Sequence, residues 1–343
     1  EIGSGLVGSE MCIRDRCVTL IALLGGCTST SVTEKYQDKR NDIINVKDKV
    51  IEFETGNVLI GSVSRLYMSN KCLLIADHKS VDKQIHIFNK NDFSYLTSIG
   101  NFGEGPEEIT VMGCLAIDEA HHQLYVSDHA KQKIFSYDMD SVMVDSLYKP
   151  QVKTAMNETL FPSEYQYIND TLSIAVLIKP TSTSTFNQFL GRWNMNTGEM
   201  IPMKYTHPDI QKKRITFAAS EKAGIYVECY TRHDLMTICS LDGELLYNIY
   251  GPDWDGGNGN KLQSFGTVMI GNDKIFVSYC GEDYARDSFP TKILVFDLEG
   301  NYLKTLETGY KISDCCYDSF NNRIILSLND VVQFAYLDID GII

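Results

Sequence analysis

A hairpin that keeps returning is the feature that most limits what this chain can fold into. An aromatic or apolar strand, a tight Asp/Asn/Gly turn and a second apolar strand recur as "IHIFNKNDFSYL", "KIFSYDMDSVMV", "LGRWNMNTGEMI", "TICSLDGELLYNI", "ILVFDLEGNYLKTL" and "FAYLDIDGII". The copies stand roughly 40–57 residues apart, the scale of propeller blades. Asp-Gly and Glu-Gly suit these turns because glycine takes positive φ without a Cβ penalty. From residue 60 onward the runs alternate as strands do, and no amphipathic helix stands out. Another strand pair precedes each hairpin: "SVSRLYM" and "KCLLIAD" before the first, "ISDCCYD" and "RIILSL" before the last. Four antiparallel strands per hairpin unit predict an all-β, six-bladed β-propeller. The sixth blade has almost no fourth strand, while "KVIEFE", residues 49–54, is left over. That N-terminal strand is expected to complete the last blade and close the ring.

Length and charge fit this reading. The chain has 343 residues, 43% of them apolar, enough for one large closed β fold. Its 31 basic and 45 acidic side chains leave a net charge of −14, which repels a phosphate backbone and makes nucleic acid an unsuitable partner.

The N-terminal residues divide into three parts. Residues 1–16, "EIGSGLVGSEMCIRDR", show neither strand nor helix periodicity and resemble translated sequencing-adapter read-through. Residues 17–26 read as a signal-peptide remnant, because the run "CVTLIALL" is too short to span a bilayer. It ends in "LGGC", the form of a bacterial lipobox, so cleavage before Cys27 and acylation of its thiol are expected. Residues 27–41 then form a tether and residues 42–343 the propeller. "CTSTSVTEK" has no acidic residue before Glu34, which favours an outer-membrane anchor facing the periplasm.

The cysteines do not form a framework. Cys12 and Cys17 belong to the leader and Cys27 to the anchor, leaving Cys72, Cys114, Cys229, Cys239, Cys280, Cys315 and Cys316 with no C-x-x-C pair. They read as small core hydrophobes, with Cys315 and Cys316 on opposite faces of one strand. The glycine-rich stretch "IGNFGEGPEEI", residues 99–109, invites a phosphate-loop reading. No helix follows it, and Glu104, Glu107 and Glu108 would repel an anion. It reads as a corner between the first and second blades.

With the lipobox and the six blades, this corner resembles that of the TolB-like six-bladed propeller lipoproteins of Bacteroidota, relatives of the NHL-repeat propellers. Their corner runs G-x-x-G-x-G-P-G-E-F; here "GNFGEGPEEI" has Glu107 for the glycine and Ile109 for the phenylalanine. The resemblance covers about residues 40–343 and implies a cell-envelope address and this fold.

The long connections fall on one face, the one shared by the inter-blade loops and the loops joining strands two and three. Recognition concentrates on such loops, so the expected ligand-binding face comprises Phe102, Glu104, Asp253, Trp254, Asp255, Tyr284 and Arg286. Asp253, Asp255 and Asn258 are also the candidates for calcium, an oxygen-seeking ion; no other cofactor is expected. His78 and His129 occupy equivalent places in the first two blades, and His121 and His122 lie in a tight turn on the other face. No catalytic triad is present. The sequence therefore suggests a non-catalytic envelope module that binds a protein, peptide or glycan. The alternative is a calcium-dependent lactonase-type hydrolase, for which the inner strands offer Glu164 and Asp314.

Overall fold

A computed structural model describes residues 33–145, 147–210, 213–257, 262–286 and 288–343. Cys27 and the leader lie outside the described residues, as do Asn258 and Asp287. Six sheets of four antiparallel strands follow one another around a ring. Their inner strands are Ser64–Met68, Met112–Asp118, Phe161–Asn169, Ile215–Ser220, Leu262–Gly271 and Ile312–Asp318. The second strands lie between neighbouring blades and are buried on both faces, so they read as continuous apolar runs: Cys72–Asp77, Ile225–Tyr230 and Arg323–Leu328 are buried throughout.

The core is divided among the seams. Each junction between adjacent blades holds its own apolar cluster; Leu74, Ile85, Leu115 and Val126 fill the one between blades one and two. Cys315 and Cys316 enter different clusters, on opposite faces of their strand. The seven cysteines of the propeller are free and buried.

Val50–Glu52 pairs antiparallel with Phe334–Asp338 and supplies the fourth strand of blade six, as the unfilled last blade predicts. A buried charge cluster reinforces that closing seam. Asp318 accepts from Lys90 of blade one at 3.0 Å and from Arg323 at 3.3 Å, and Arg323 also donates to the Lys90 carbonyl.

The segment before this strand is more structured than a tether. The compact unit begins at Thr33 rather than residue 42. Glu34–Tyr36 adds a parallel fifth strand to blade four, and Ile43–Asn45 does the same for blade five. Tyr36 stacks on Tyr250 with ring centroids 4.5 Å apart. The chain thus passes outside two blades before closing a third. Local alternation over three residues is too short a signal to reveal strands of this kind.

Blade two departs from the hairpin expectation. "MDSVMV" forms the helix Met139–Val144 in place of the second strand of its hairpin, and the fourth strand is Gln151–Ala155, further along the chain. Asp138 caps the helix by accepting from Ser141 N at 2.7 Å, and Val142 is buried. A cap plus one inward residue is enough in this packed setting, although the segment is too short to show helical periodicity.

Candidate functional site

The inner strands surround a central channel of about 1350 Å³. Every seam around it is tied by a hydrogen bond that uses a side chain. Leu115 N donates to Tyr67 Oη (3.4 Å), Tyr165 N to Cys114 Sγ (3.5 Å) and Ala219 N to Gln166 Oε1 (2.6 Å). Thr216 Oγ1 donates to the Gly266 carbonyl (2.6 Å), Thr267 Oγ1 to Asp314 Oδ1 (2.7 Å) and Leu66 N to Asp314 Oδ2 (2.8 Å). Neighbouring inner strands belong to different sheets, so side chains supply the links that backbone ladders cannot.

Inner strands start, and second strands end, on the long-loop face, which gathers a polar group at the channel mouth. Arg65 of blade one pairs with Glu164 of blade three at 2.9 Å, bridging the inner edge of blade two. Blade two presents Gly113 there, and a Cβ at that position would lie 2.4 Å from His129 Nε2. Lys79, Gln84 and Phe102 line the same channel. Asp314 is consumed by its two seam bonds, and burial pushes its carboxyl above the usual range. His78 and His129 also line the channel, and burial lowers both imidazoles, favouring the neutral form. His78 Nδ1 lies 3.2 Å from the Met112 carbonyl, so the proton belongs on Nδ1.

Their aspartate neighbours are turn caps. Asp77 accepts from Gly61 N and Lys79 N, and Asp128 from Thr110, Val111, Ala130 and Lys131 N. The glycine-rich stretch is an inter-blade corner, as expected. It wraps a cation: Lys131 Nζ donates to the carbonyls of Gly103 (3.2 Å), Gly105 (2.7 Å) and Glu108 (2.6 Å). Gly103 has φ +157°, and a Cβ there would meet the Glu108 carboxylate at 2.0 Å.

The structure separates the expected face residues. Phe102 is 45% exposed at the channel mouth, and Glu104 is exposed on the corner beside it. Asp253, Trp254 and Asp255 sit between blades four and five, half the ring away. Trp254 packs among His207, His233 and Tyr250, with ring centroids 5.0–5.9 Å apart, so it is held half-buried against the seam between blades. Asp253 accepts from Tyr279 Oη at 3.2 Å, whereas Asp255 faces His233 at 3.5 Å. Tyr284 opens the 3-10 turn Tyr284–Arg286, in which Arg286 lies 3.7 Å from Glu282. Arg65 is the mouth residue that sequence reasoning missed. Its signal was a charge at the second position of an inner strand.

Comparison with known proteins agrees with the architecture. Residues 28–187 match the DUF5128 family model, described as a 6-bladed beta-propeller. No curated protein matches the chain. Among solved structures, a candidate exported protein of Bacteroides fragilis NCTC 9343 is 14% identical with a TM-score of 0.54, covering 86% of this chain and 87% of its own. A member of the DUF4221 family from Bacteroides vulgatus is 11% identical with a TM-score of 0.54, covering 88% of this chain and 98% of its own. The β-propeller domain of Myceliophteria thermophila Cps50 (Swd1) is 9% identical with a TM-score of 0.52, covering 84% and 98%. At these identities the likeness is one of fold, and the fold is that of a six-bladed β-propeller.

Proposed function

We propose that the protein is a non-catalytic binding module of the bacterial cell envelope. Acylated Cys27 holds it at the periplasmic side of the outer membrane, and the long-loop face recognises a protein, peptide or glycan. The observation that carries this reading is the state of the inner-strand acids at the mouth. Glu164 is paired with Arg65, and Asp314 is spent on Leu66 N and Thr267. Asp314 is thus committed to holding blades together and Glu164 faces a guanidinium, whereas hydrolysis calls for an unpaired base within reach of the substrate's proton. The half-exposed Arg65–Glu164 pair suits recognition instead. Such pairs are worth about 0–1 kcal/mol, so a ligand that offers both a donor and an acceptor can exchange with it cheaply. The lipobox and the TolB-like corner support the address.

The test is capture of ligand from envelope extracts and oligosaccharide arrays by the protein and by its Phe102→Ala and Arg65→Gln variants. Retention that drops in both variants supports the mouth as the binding surface, and retention unchanged in both removes it. Turnover of a lactone that is lost in Glu164→Gln would replace binding with hydrolysis. Palmitate labelling that survives Cys27→Ala would remove the anchor.

A further inference from the structure

On the face opposite the long loops, blades two and six repeat one local structure with different charge. In blade six, Asp318 ends the inner strand and is fully buried. It accepts from Asn321 N (3.3 Å) and Asn321 Nδ2 (2.7 Å). Two fixed cations, Lys90 and Arg323, neutralise it. In blade two, Asp118 holds the same place and is 1% exposed. It accepts from His121 N at 3.1 Å and from Tyr125 Oη at 3.1 Å, with His121 Nδ1 at 2.9 Å.

The fixed cations are missing there. Aligning "DEAHHQ" with "DSFNNR" puts Gln123 where Arg323 stands, and aligning "LGRWNMN" with "IHIFNKN" puts Met195 where Lys90 stands. A further acid arrives instead: Asp170 of blade three occupies the turn position held by Asn70 in blade one, and its Oδ1 lies 3.8 Å from His121 Nδ1. A buried carboxylate has thus exchanged two permanent cations for a titratable imidazole and a second carboxylate. Asp118 is held as a carboxylate by His121, Tyr125 and Tyr167, and Lys153 stands over the Tyr125 ring at 5.5 Å rather than against either carboxylate, so a cation seated among Asp118, His121 and Asp170 would take the part that Lys90 and Arg323 play in blade six.

We propose that Asp118, His121 and Asp170 bind a divalent transition-metal cation, with zinc the reference ion. Their ligand atoms lie within 4.8 Å of one another, and no other such group of three His, Cys, Asp or Glu side chains occurs among the described residues. Zinc bound at about 2.0–2.2 Å in tetrahedral geometry places its ligands about 3.3–3.6 Å apart. The 2.9 and 3.8 Å separations at Nδ1 bracket that range. An imidazole nitrogen beside two carboxylates selects zinc-like ions over calcium, which prefers six or more oxygens. Tyr125 and Tyr167 donate to the two carboxylates, Tyr167 to Asp170 at 2.6 Å, and hold them in place. His121 and Asp170 are exposed, so the ion enters from solvent and keeps an open coordination position.

A proton competes for the same nitrogen. The hydrogen bond to Asp118 and the charges of Asp118 and Asp170 raise the His121 pKa, opposed by Lys153, while Tyr125 and Tyr167 face the site as neutral donors. Metal affinity therefore rises with pH as Nδ1 is vacated.

The experiment is calorimetric titration of the protein with zinc chloride at about pH 7.5 and about pH 5.5, where histidine changes charge. One equivalent should bind at the higher pH, with affinity reduced more than about tenfold at the lower pH and in both His121→Ala and Asp170→Asn. Gln123→Arg, which restores the cation of blade six, should abolish binding while leaving the circular dichroism spectrum intact. No binding by the wild-type protein, or undiminished binding in His121→Ala, Asp170→Asn or Gln123→Arg, overturns the proposal.

Discussion

The Arg40 guanidinium reaches the Asp234 carboxylate at 2.7 Å, and the two side chains are 7% and 0% exposed. Arg40 lies between the two parallel strands that the N-terminal segment adds to blades four and five, and it faces the rings of Phe265, Tyr279 and Phe296 at 5.6–5.7 Å. One side chain therefore pins the segment to both blades. Removing it leaves Asp234 buried without its counter-charge. Arg40→Met is expected to cost about 3–5 kcal/mol, and Arg40→Met with Asp234→Asn to recover part of that loss. Urea denaturation of the two variants measures both.

The closing seam should be acid-sensitive. Burial alone would push the Asp318 carboxyl up, but Asn321 and Lys90 outweigh it and hold it below the usual carboxylate range. A carboxyl lowered on folding contributes stability that is fully present above its unfolded value of about 3.9 and is lost as pH falls through the folded value. Thermal melts between about pH 5 and pH 2 should decline in the wild type. In Asp318→Asn, the melting temperature should start lower and that part of the decline should disappear.

The histidines should separate in an NMR titration. Burial lowers His78, His86, His129 and His207, while Asp118 raises His121. Four resonances are thus expected to titrate below about pH 6.5 and one above it. The unfolded chain takes up protons before these four rings do. Their contribution to stability is therefore complete above about pH 6.5 and falls as pH drops through the lowered values. His121 acts in the opposite sense: its stabilisation is present below about pH 6.5 and lost as pH rises through its raised value. A His121 resonance that titrates with the other four would contradict the geometry of the Asp118 turn.

The corner between blades one and two depends on Lys131. Lys131→Met leaves the carbonyls of Gly103, Gly105 and Glu108 without their charged donor, an expected loss of about 1.5–3 kcal/mol for a hydrogen bond to a charged group. Limited proteolysis should then cut within residues 103–108 before the rest of the ring unfolds. Cleavage unchanged from wild type would mean the glycines alone set the corner.

Trp254 and Phe102 should behave in opposite ways. Trp254→Ala removes a half-buried ring from among three packed rings and should cost about 1–3 kcal/mol. Phe102→Ala, at a half-exposed position, should move stability by no more than about 0.5 kcal/mol. Paired urea melts distinguish the fold residue from the surface residue.

Much of the architecture was legible from the residues. The recurrent Asp/Asn/Gly hairpins and the unfilled sixth blade determined by themselves the blade number, the four-stranded sheets and the closing strand, because each is a local pattern repeated until the count is unambiguous. The glycine corner was legible for the same reason: its acids and the missing helix rule out a phosphate cradle. The strands at Glu34–Tyr36 and Ile43–Asn45, the helix at Met139–Val144 and the role of Arg40 were not. Each is too short to carry a period and forms only because a finished blade edge or a packed seam is already there to receive it. The candidate sites were less legible still. Arg65 meets Glu164 and His121 meets Asp170 only when non-adjacent strands and turns are brought round the ring, and Trp254 turned inward because His207, His233 and Tyr250 surround it. Sequence spacing determines the repeat; which side chains face one another is decided by ring closure, which places residues far apart in the chain within bonding distance.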